Sequence, residues 1–379
     1  MAEKRLGKYI QEYSVKNKKD LGYPVYSVTN SKGFCTEYFN KDVSGEDKTT
    51  YKIVPRGYFA YNPSRINVGS IDWQNCEDNV IVSPLYVVFK CSDGLNQDYL
   101  KYYLKSDSGK KVINASISVS VRNSLKFDVL SDFKLNIGTI DEQLVVVDKL
   151  RKIEAAIENE RKRIKLYDEL IKSRFVEMFG DPQKNVFGYD IEPLGKTCKI
   201  ITGNTPPKKV PEYYGDYIEW IKTDNIVSGK QNPTKAVEFL SDKGMNVGRT
   251  VEKDSILMAC IAGSVASIGR VCITNRKVAF NQQINAIVPK QYNVVFLYVL
   301  LQLSKDYLIS EINVCLKGIL SKTELSLKKF IVPPSNLQNK FANYVSLIEK
   351  SKDETYKRIN FFKELLAKKT DELFNGENA

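Results

Sequence analysis

Few strings in this 379-residue chain place residue types at spacings that could do chemistry. Asn62-Pro63-Ser64 and Asn232-Pro233-Thr234 come nearest to the Asn-Pro-Pro-aromatic loop that grips the exocyclic amine of a flipped adenine. Both lack the second proline and the aromatic ring, and no Phe-x-Gly-x-Gly string supplies the turn a bound methyl donor needs. Gly195-Lys196-Thr197 ends like a phosphate-cradling loop, but the glycine that loop requires five residues earlier is Asp190. The Glu-x-Lys pairs of a magnesium nuclease reduce to Glu46 with Lys48, in a polar loop, and Glu160 with Lys162, inside a helical pattern. Histidine is absent, which removes Ser-His-Asp and Cys-His nucleophiles, HNH-type nuclease centres and every imidazole metal site. The seven cysteines are separated by at least eleven residues, so neither a zinc ribbon nor a disulfide framework is expected, only reduced and mostly buried thiols. The sequence offers no catalytic constellation, and no metal site is expected from it.

What remains is binding. The length suits two domains of about 150 residues, and 42% hydrophobic residues can fill their cores. A net charge of +12 points to polyanionic partners, nucleic acid before an anionic membrane. No apolar leader opens the sequence, and the longest apolar run, residues 294–301, falls well short of the roughly 18 residues that span a bilayer. A cytoplasmic protein is expected.

Two stretches repeat apolar residues at three-four spacing without internal glycine or proline. One runs from Ile140 through Leu150, Ile157 and Ile171 to Met178, the other from Leu337 through Val345 and Ile359 to Leu373. Each predicts a rod of about 40 residues, about 60 Å long, with an apolar stripe that needs a partner. The rods resemble each other: residues 164–179 align without gaps on 359–374, a shift of 195. The chain therefore divides into a globule (1–138), a rod (139–180), a second globule (181–335) and a second rod (336–379). The globules carry +5 and +6 and the rods 0 and +1, which places the basic excess on two repeated surfaces suited to phosphate. Short β-rich runs at 23–28, 79–89, 217–221 and 284–289, with helical stretches near 99–104 and 295–308, make each globule α+β.

The second globule also resembles a known family. From Ile201, the spacing of Gly203, Thr205, Pro206, Tyr214, Gly215, Trp220, Lys222, Asp224 and Ile226 is similar to the Gly-Thr-Pro, Tyr-x-Gly, Trp-x-Lys, Asp-x-Ile signature of target-recognition domains in specificity subunits of type I restriction-modification systems. Ile268, Gly269 and Asn281-Gln282-Gln283-Ile284 resemble a later part of the same domain. Asn204 replaces a second glycine, a swap expected to be tolerated because asparagine accepts left-handed backbone. The first globule resembles a more divergent copy, through residues 23–30 and 54–71, and the rod start at Thr139-Ile140-Asp141-Glu142-Gln143 resembles the family's central helix.

The resemblance implies two pseudo-repeated target-recognition domains, mixed β-sheet with helices, separated by two long helices that form an antiparallel coiled coil. Each domain would read one half of a bipartite DNA site, with rod length setting the unread gap at about 3.4 Å per base pair. It implies a non-catalytic subunit that binds no cofactor itself. The expected partners are double-stranded DNA, two modification subunits holding S-adenosylmethionine, and two restriction subunits using ATP and magnesium. In the first domain the expected DNA-binding residues are Ser27, Thr29, Asn30, Asn62, Ser64, Arg65 and Asn67. In the second they are Thr205, Lys208, Lys209, Lys222, Thr223, Ser264, Ser267, Arg270, Asn281, Gln282 and Gln283. Rod aromatics and a methionine, Tyr167, Phe175, Met178, Phe179, Phe361, Phe362 and Phe374, are the expected docking residues for modification subunits. Two alternatives stand beside this reading: service in a methylation-only or type IIB-like complex, and a coiled-coil adaptor that reads no DNA.

Overall fold

The computed structural model describes residues 3–36, 47–118, 123–261, 267–310 and 319–375. Contacts divide the chain into two units, Met1–Lys162 with Tyr356–Ala379, and Arg163–Thr355. Both mix sheet and helix, and both are built on the same plan.

In the first unit a four-stranded antiparallel sheet runs in the order Ile10–Glu12, Val87–Cys91, Phe59–Tyr61, Ile71–Trp73. Phe59 stands opposite Phe89 and stacks on it at 4.8 Å between ring centroids. Both are fully buried, each burial worth about 1.5–3 kcal/mol. The apolar run at 79–89 is not one strand: Asn79–Val82 pairs with Lys52–Pro55, and a turn at 83–86 containing Pro84 sends Val87–Cys91 into the four-stranded sheet. The helix Gln97–Lys105 follows, its first turn capped by the Asn96 side chain, which accepts from the Tyr99 amide at 3.1 Å.

The second unit repeats the sheet with Cys198–Thr202, Ile284–Pro289, Ile256–Ala259 and Val271–Ile273, followed by helix Val294–Leu303, capped by Asn293. A five-stranded sheet is added here, in which Ile218–Ile221 and Val278–Phe280 run parallel. Gly195-Lys196-Thr197 lies in the helical turn Leu194–Thr197 and forms no phosphate loop.

The first long helix, Ile140–Phe179, opens with a capping box in which the Thr139 amide donates to the Glu142 carboxylate at 2.8 Å and the Glu142 amide to the Thr139 hydroxyl at 3.3 Å. It stops at Gly180, whose φ of 74° is the left-handed backbone of a helix C-terminus. The second, Ser335–Asn375, starts after Pro333-Pro334. Within the second unit the helices pair antiparallel, Asp168 meeting Lys352 at 2.9 Å while Phe175 meets Phe341 at 5.5 Å. Within the first unit the order is again reversed: Glu160 meets Arg358 at 3.1 Å, and Val147 and Leu150 share a core with Leu366, Leu373 and Phe374.

Each rod is also locked to a globule by a buried glutamine. Gln143 accepts from the Asn96 amide at 2.8 Å and donates to the carbonyls of Gly94 and Gly138. Gln338 accepts from the Asn293 amide at 2.8 Å and donates to the Pro333 carbonyl. Gln143 and Gln338 stand 195 residues apart, so the sequence repeat is a repeat of joints. Of the six described cysteines, Cys198, Cys260 and Cys272 are buried, Cys35 and Cys91 half-buried and Cys76 exposed, so the thiols are less uniformly buried than expected; Cys315 lies outside the described residues.

Candidate nucleic-acid interface

In the second unit the candidate residues gather around the loop that leaves strand Cys198–Thr202. The Thr202 hydroxyl donates to the Asn285 side chain at 2.7 Å, and the Gly203 amide donates to the Ile284 carbonyl at 3.0 Å. A Cβ on Gly203 would lie 2.1 Å from the Asn281 carbonyl oxygen, so this crossing admits only glycine. Gly203→Ala is therefore expected to cost about 1–3 kcal/mol in thermal or denaturant unfolding; a wild-type unfolding midpoint would refute the steric argument.

Asn204 does not take the left-handed backbone expected of it. It works through its side chain instead, donating to the Val247 carbonyl at 2.9 Å and accepting from the Arg249 amide at 2.8 Å. Its carbonyl accepts from the Trp220 indole at 3.3 Å, and the Tyr214 hydroxyl donates to the Pro206 carbonyl at 2.7 Å. The signature tryptophan and tyrosine thus hold up the loop. On this platform the Thr205 hydroxyl hydrogen-bonds to the exposed Gln282 side chain.

Other candidates are placed differently. Asn281 is 5% exposed, and its side chain donates to Gln283 at 3.0 Å and accepts from the Gln283 amide at 3.1 Å, so it shapes the turn and does not face solvent. Lys222 pairs with Glu238 and lies 5.0 Å over the Trp220 ring. Thr223 is half-buried at the head of a helical turn. Lys208 and Lys209 are exposed beside the loop. Ser267 and Arg270 are half-buried, and Ser264 lies outside the described residues. Arg249, for which no motif gave a signal, is exposed and donates to the Thr202 carbonyl at 2.6 Å, which fixes a guanidinium at the loop's edge.

In the first unit Ser27, Thr29, Asn30, Asn62 and Arg65 line one cleft of about 190 Å³. The Asn62 side chain accepts from the Ser64 amide at 3.0 Å, and the Ser70 hydroxyl ties this turn to the Val28 carbonyl at 2.6 Å. Ser27 is only 8% exposed, while Asn30, Ser64 and Arg65 are exposed and Asn67 half-buried.

The docking candidates need correction. Phe175 and Phe179 are fully buried in the second unit against Phe296 and Phe341 and have no surface to offer. Phe374 packs on Tyr99 and Tyr103 of the first unit, at 4.9 and 5.6 Å between ring centroids. Tyr167, Met178 and Phe362 are half-buried, and Phe361 is 60% exposed. Among the described residues no group of His, Cys, Asp and Glu is placed to hold a metal ion, and no helix is long and apolar enough to cross a membrane.

Residues 188–361 match the family described as type I restriction modification DNA specificity domain. The chain is similar to the type I restriction enzyme HindI specificity subunit of Haemophilus influenzae, with 29% identity over 204 residues. That match covers 50% of this chain and 42% of the relative, so the chain spans less than half the length of that protein. It is also similar to the MjaIX specificity subunit of Methanocaldococcus jannaschii, 22% identical over 75% of this chain and 70% of the relative. Among solved structures, the type I restriction-modification S subunit from M. genitalium shares the fold at a TM-score of 0.52 and 13% identity, covering 98% of this chain and 96% of that one. A chain from a study of complex assembly and conformational transition of the type I R-M system gives 0.55 at 15% identity, covering 98% and 97%.

Proposed function

From the premise that this chain belongs to the type I restriction-modification DNA specificity family, we propose that it selects the DNA site for a methyltransferase complex, each unit reading one half of a bipartite sequence. The observation that carries the reading is the pairing of Thr205 with exposed Gln282 on a rigid loop, matched in the first unit by a cleft that gathers Asn30, Asn62 and Arg65. These are the side-chain types that read base edges, Asn and Gln for adenine and Arg for guanine or phosphate. Two copies on one repeated plan suit a split site, and the rods, of 40 and 41 residues, would set its gap. The chain itself neither cuts nor methylates in this reading. Two modification subunits with S-adenosylmethionine act on the flipped adenines, and two restriction subunits with ATP and magnesium complete the nuclease.

Co-expression with the modification subunit, followed by genome-wide mapping of methylated adenine, tests it. A single two-part motif with a fixed gap is expected. A stable complex that leaves the genome unmethylated and binds DNA without sequence preference would point to an adaptor instead.

A further inference from the structure

Each unit holds a cleft between its globule helix and a rod, and the repeat identifies the two as the same cleft with different charge. The first, about 460 Å³, lies between helix Gln97–Lys105 and the second rod at residues 363–370. The other, about 340 Å³, lies between helix Val294–Leu303 and the first rod at residues 168–172. The rods are related by a shift of 195 and the globule helices by 197, the distance between their caps Asn96 and Asn293. Lys363 therefore corresponds to Asp168, Lys101 to Tyr298 and Lys105 to Gln302, while Glu154 corresponds to Glu349.

We propose that the first-unit cleft is a phosphate-binding site, with Lys105 and Lys363 as its principal ligands and Lys32, Lys101 and Lys110 around them. The three carboxylates that line it are already engaged. Asp107 lies 3.6 Å from Lys110, Asp72 lies 4.0 Å from Lys101, and Glu154 accepts the Tyr102 hydroxyl at 2.5 Å. Among the described residues neither Lys105 nor Lys363 has a carboxylate within ion-pair distance; Lys105 reaches only the Asn30 carbonyl, at 3.5 Å. Burial holds Lys105 below the usual lysine range, and the charges of Lys101 and Lys110 add to that while Asp72 and Glu154 oppose it. A bound anion would relieve that crowding.

The occupant follows from the asymmetry. Identical protein partners docking once on each unit would need like chemistry in both clefts, and the exchange of Lys363 for Asp168 removes it. The second cleft has lysines of its own, Lys172 and Lys352, but Asp168, Glu169 and Glu349 line it with them, whereas lysines outnumber carboxylates in the first, so a phosphate suits the first cleft better. It comes from one of two sources, the phosphodiester backbone of DNA or the phosphate chain of a free nucleotide. Asn30 lines both this cleft and the smaller one that gathers the candidate readers, so a strand held there would bring its backbone here. Phosphate binding as such does not depend on the DNA-reading proposal; only the backbone source does.

The test writes the second unit's residues into the first, as Lys105→Gln with Lys363→Asp in the full chain, beside the charge-retaining Lys105→Arg. Inorganic pyrophosphate is titrated by calorimetry, and binding of a short duplex is followed against salt. Loss of pyrophosphate affinity by about ten-fold or more in the double variant, with Lys105→Arg near wild type, supports a free-phosphate site. No pyrophosphate binding, but a duplex salt slope shallower by about 2 in the double variant, supports the DNA backbone as source. Unchanged behaviour in both titrations overturns the proposal, as does an equal loss in Lys105→Arg. Lys363→Asp alone, at an exposed position, keeps the test open should the double variant fail to fold.

Discussion

Replacing Lys352 with methionine is expected to destabilise the second unit by about 3 kcal/mol. The side chain is 5% exposed, and its ammonium donates to Glu349 at 2.8 Å and Asp168 at 2.9 Å, joining the two rods. Burial alone would lower the Lys352 pKa, but the bonds to Glu349 and Asp168 outweigh it and hold the group above the usual lysine range. Its contribution is therefore complete below the ordinary lysine pKa and is lost only as pH rises through the raised folded value. At neutral pH the methionine variant removes a charge that is fully present, and leaves Glu349, 16% exposed, without its partner. Adding Glu349→Leu should recover most of the loss, because a packed apolar pair replaces a buried ion pair at little cost. Denaturant unfolding of wild type, single and double variants measures this. A single variant within about 0.5 kcal/mol of wild type would mean that water reaches the triad.

That triad marks the limit of what periodicity tells. The rods were legible because apolar residues return every three or four positions for about 40 residues, and few other structures need that pattern. The same pattern gives Lys352 no distinction from the many solvated lysines beside it. Nor does it say what a stripe meets. The family resemblance assigns Phe175, Phe179 and Phe374 to partner docking, yet each closes a core, and the repeat itself holds the clue. Phe179 and Phe374 are 195 residues apart, and each meets the aromatic ring three residues beyond a helix-capping asparagine, Phe296 after Asn293 and Tyr99 after Asn96.

The loop after strand Cys198–Thr202 was legible through residues that support it more than through residues proposed to touch DNA. Gly203, Trp220 and Tyr214 are fixed in identity by a close crossing, an indole bond and a hydroxyl bond, so their spacing survives as a signature. Asn281 belongs with them, although its type suggested a reader. Arg249 carries no such constraint on neighbouring residues, and only the fold brings it to Asn204 and Thr202.

If the second unit reads a half-site as proposed, removing Thr205 and Gln282 together, both as alanine, is expected to lower methylation at that half-site by about 10- to 100-fold, leaving the first half and the gap unchanged. The Thr205 hydroxyl holds the Gln282 side-chain oxygen, which leaves the amide's donor group as the free end of an exposed, oriented side chain. An oriented amide that can meet adenine is worth about 1–3 kcal/mol of discrimination. Thr205→Ala alone keeps the amide but frees its rotation, so its effect should be smaller and fall on the same base pair. Arg249→Ala separates base reading from anchoring. A phosphate contact predicts uniform weakening across sequences and a salt slope shallower by about 1. Mapping methylated adenine in cells expressing each variant with its modification subunit distinguishes these outcomes. Loss spread equally over both half-sites would show that the loop stabilises the complex and does not read sequence. An unchanged motif would remove Thr205 and Gln282 from the interface.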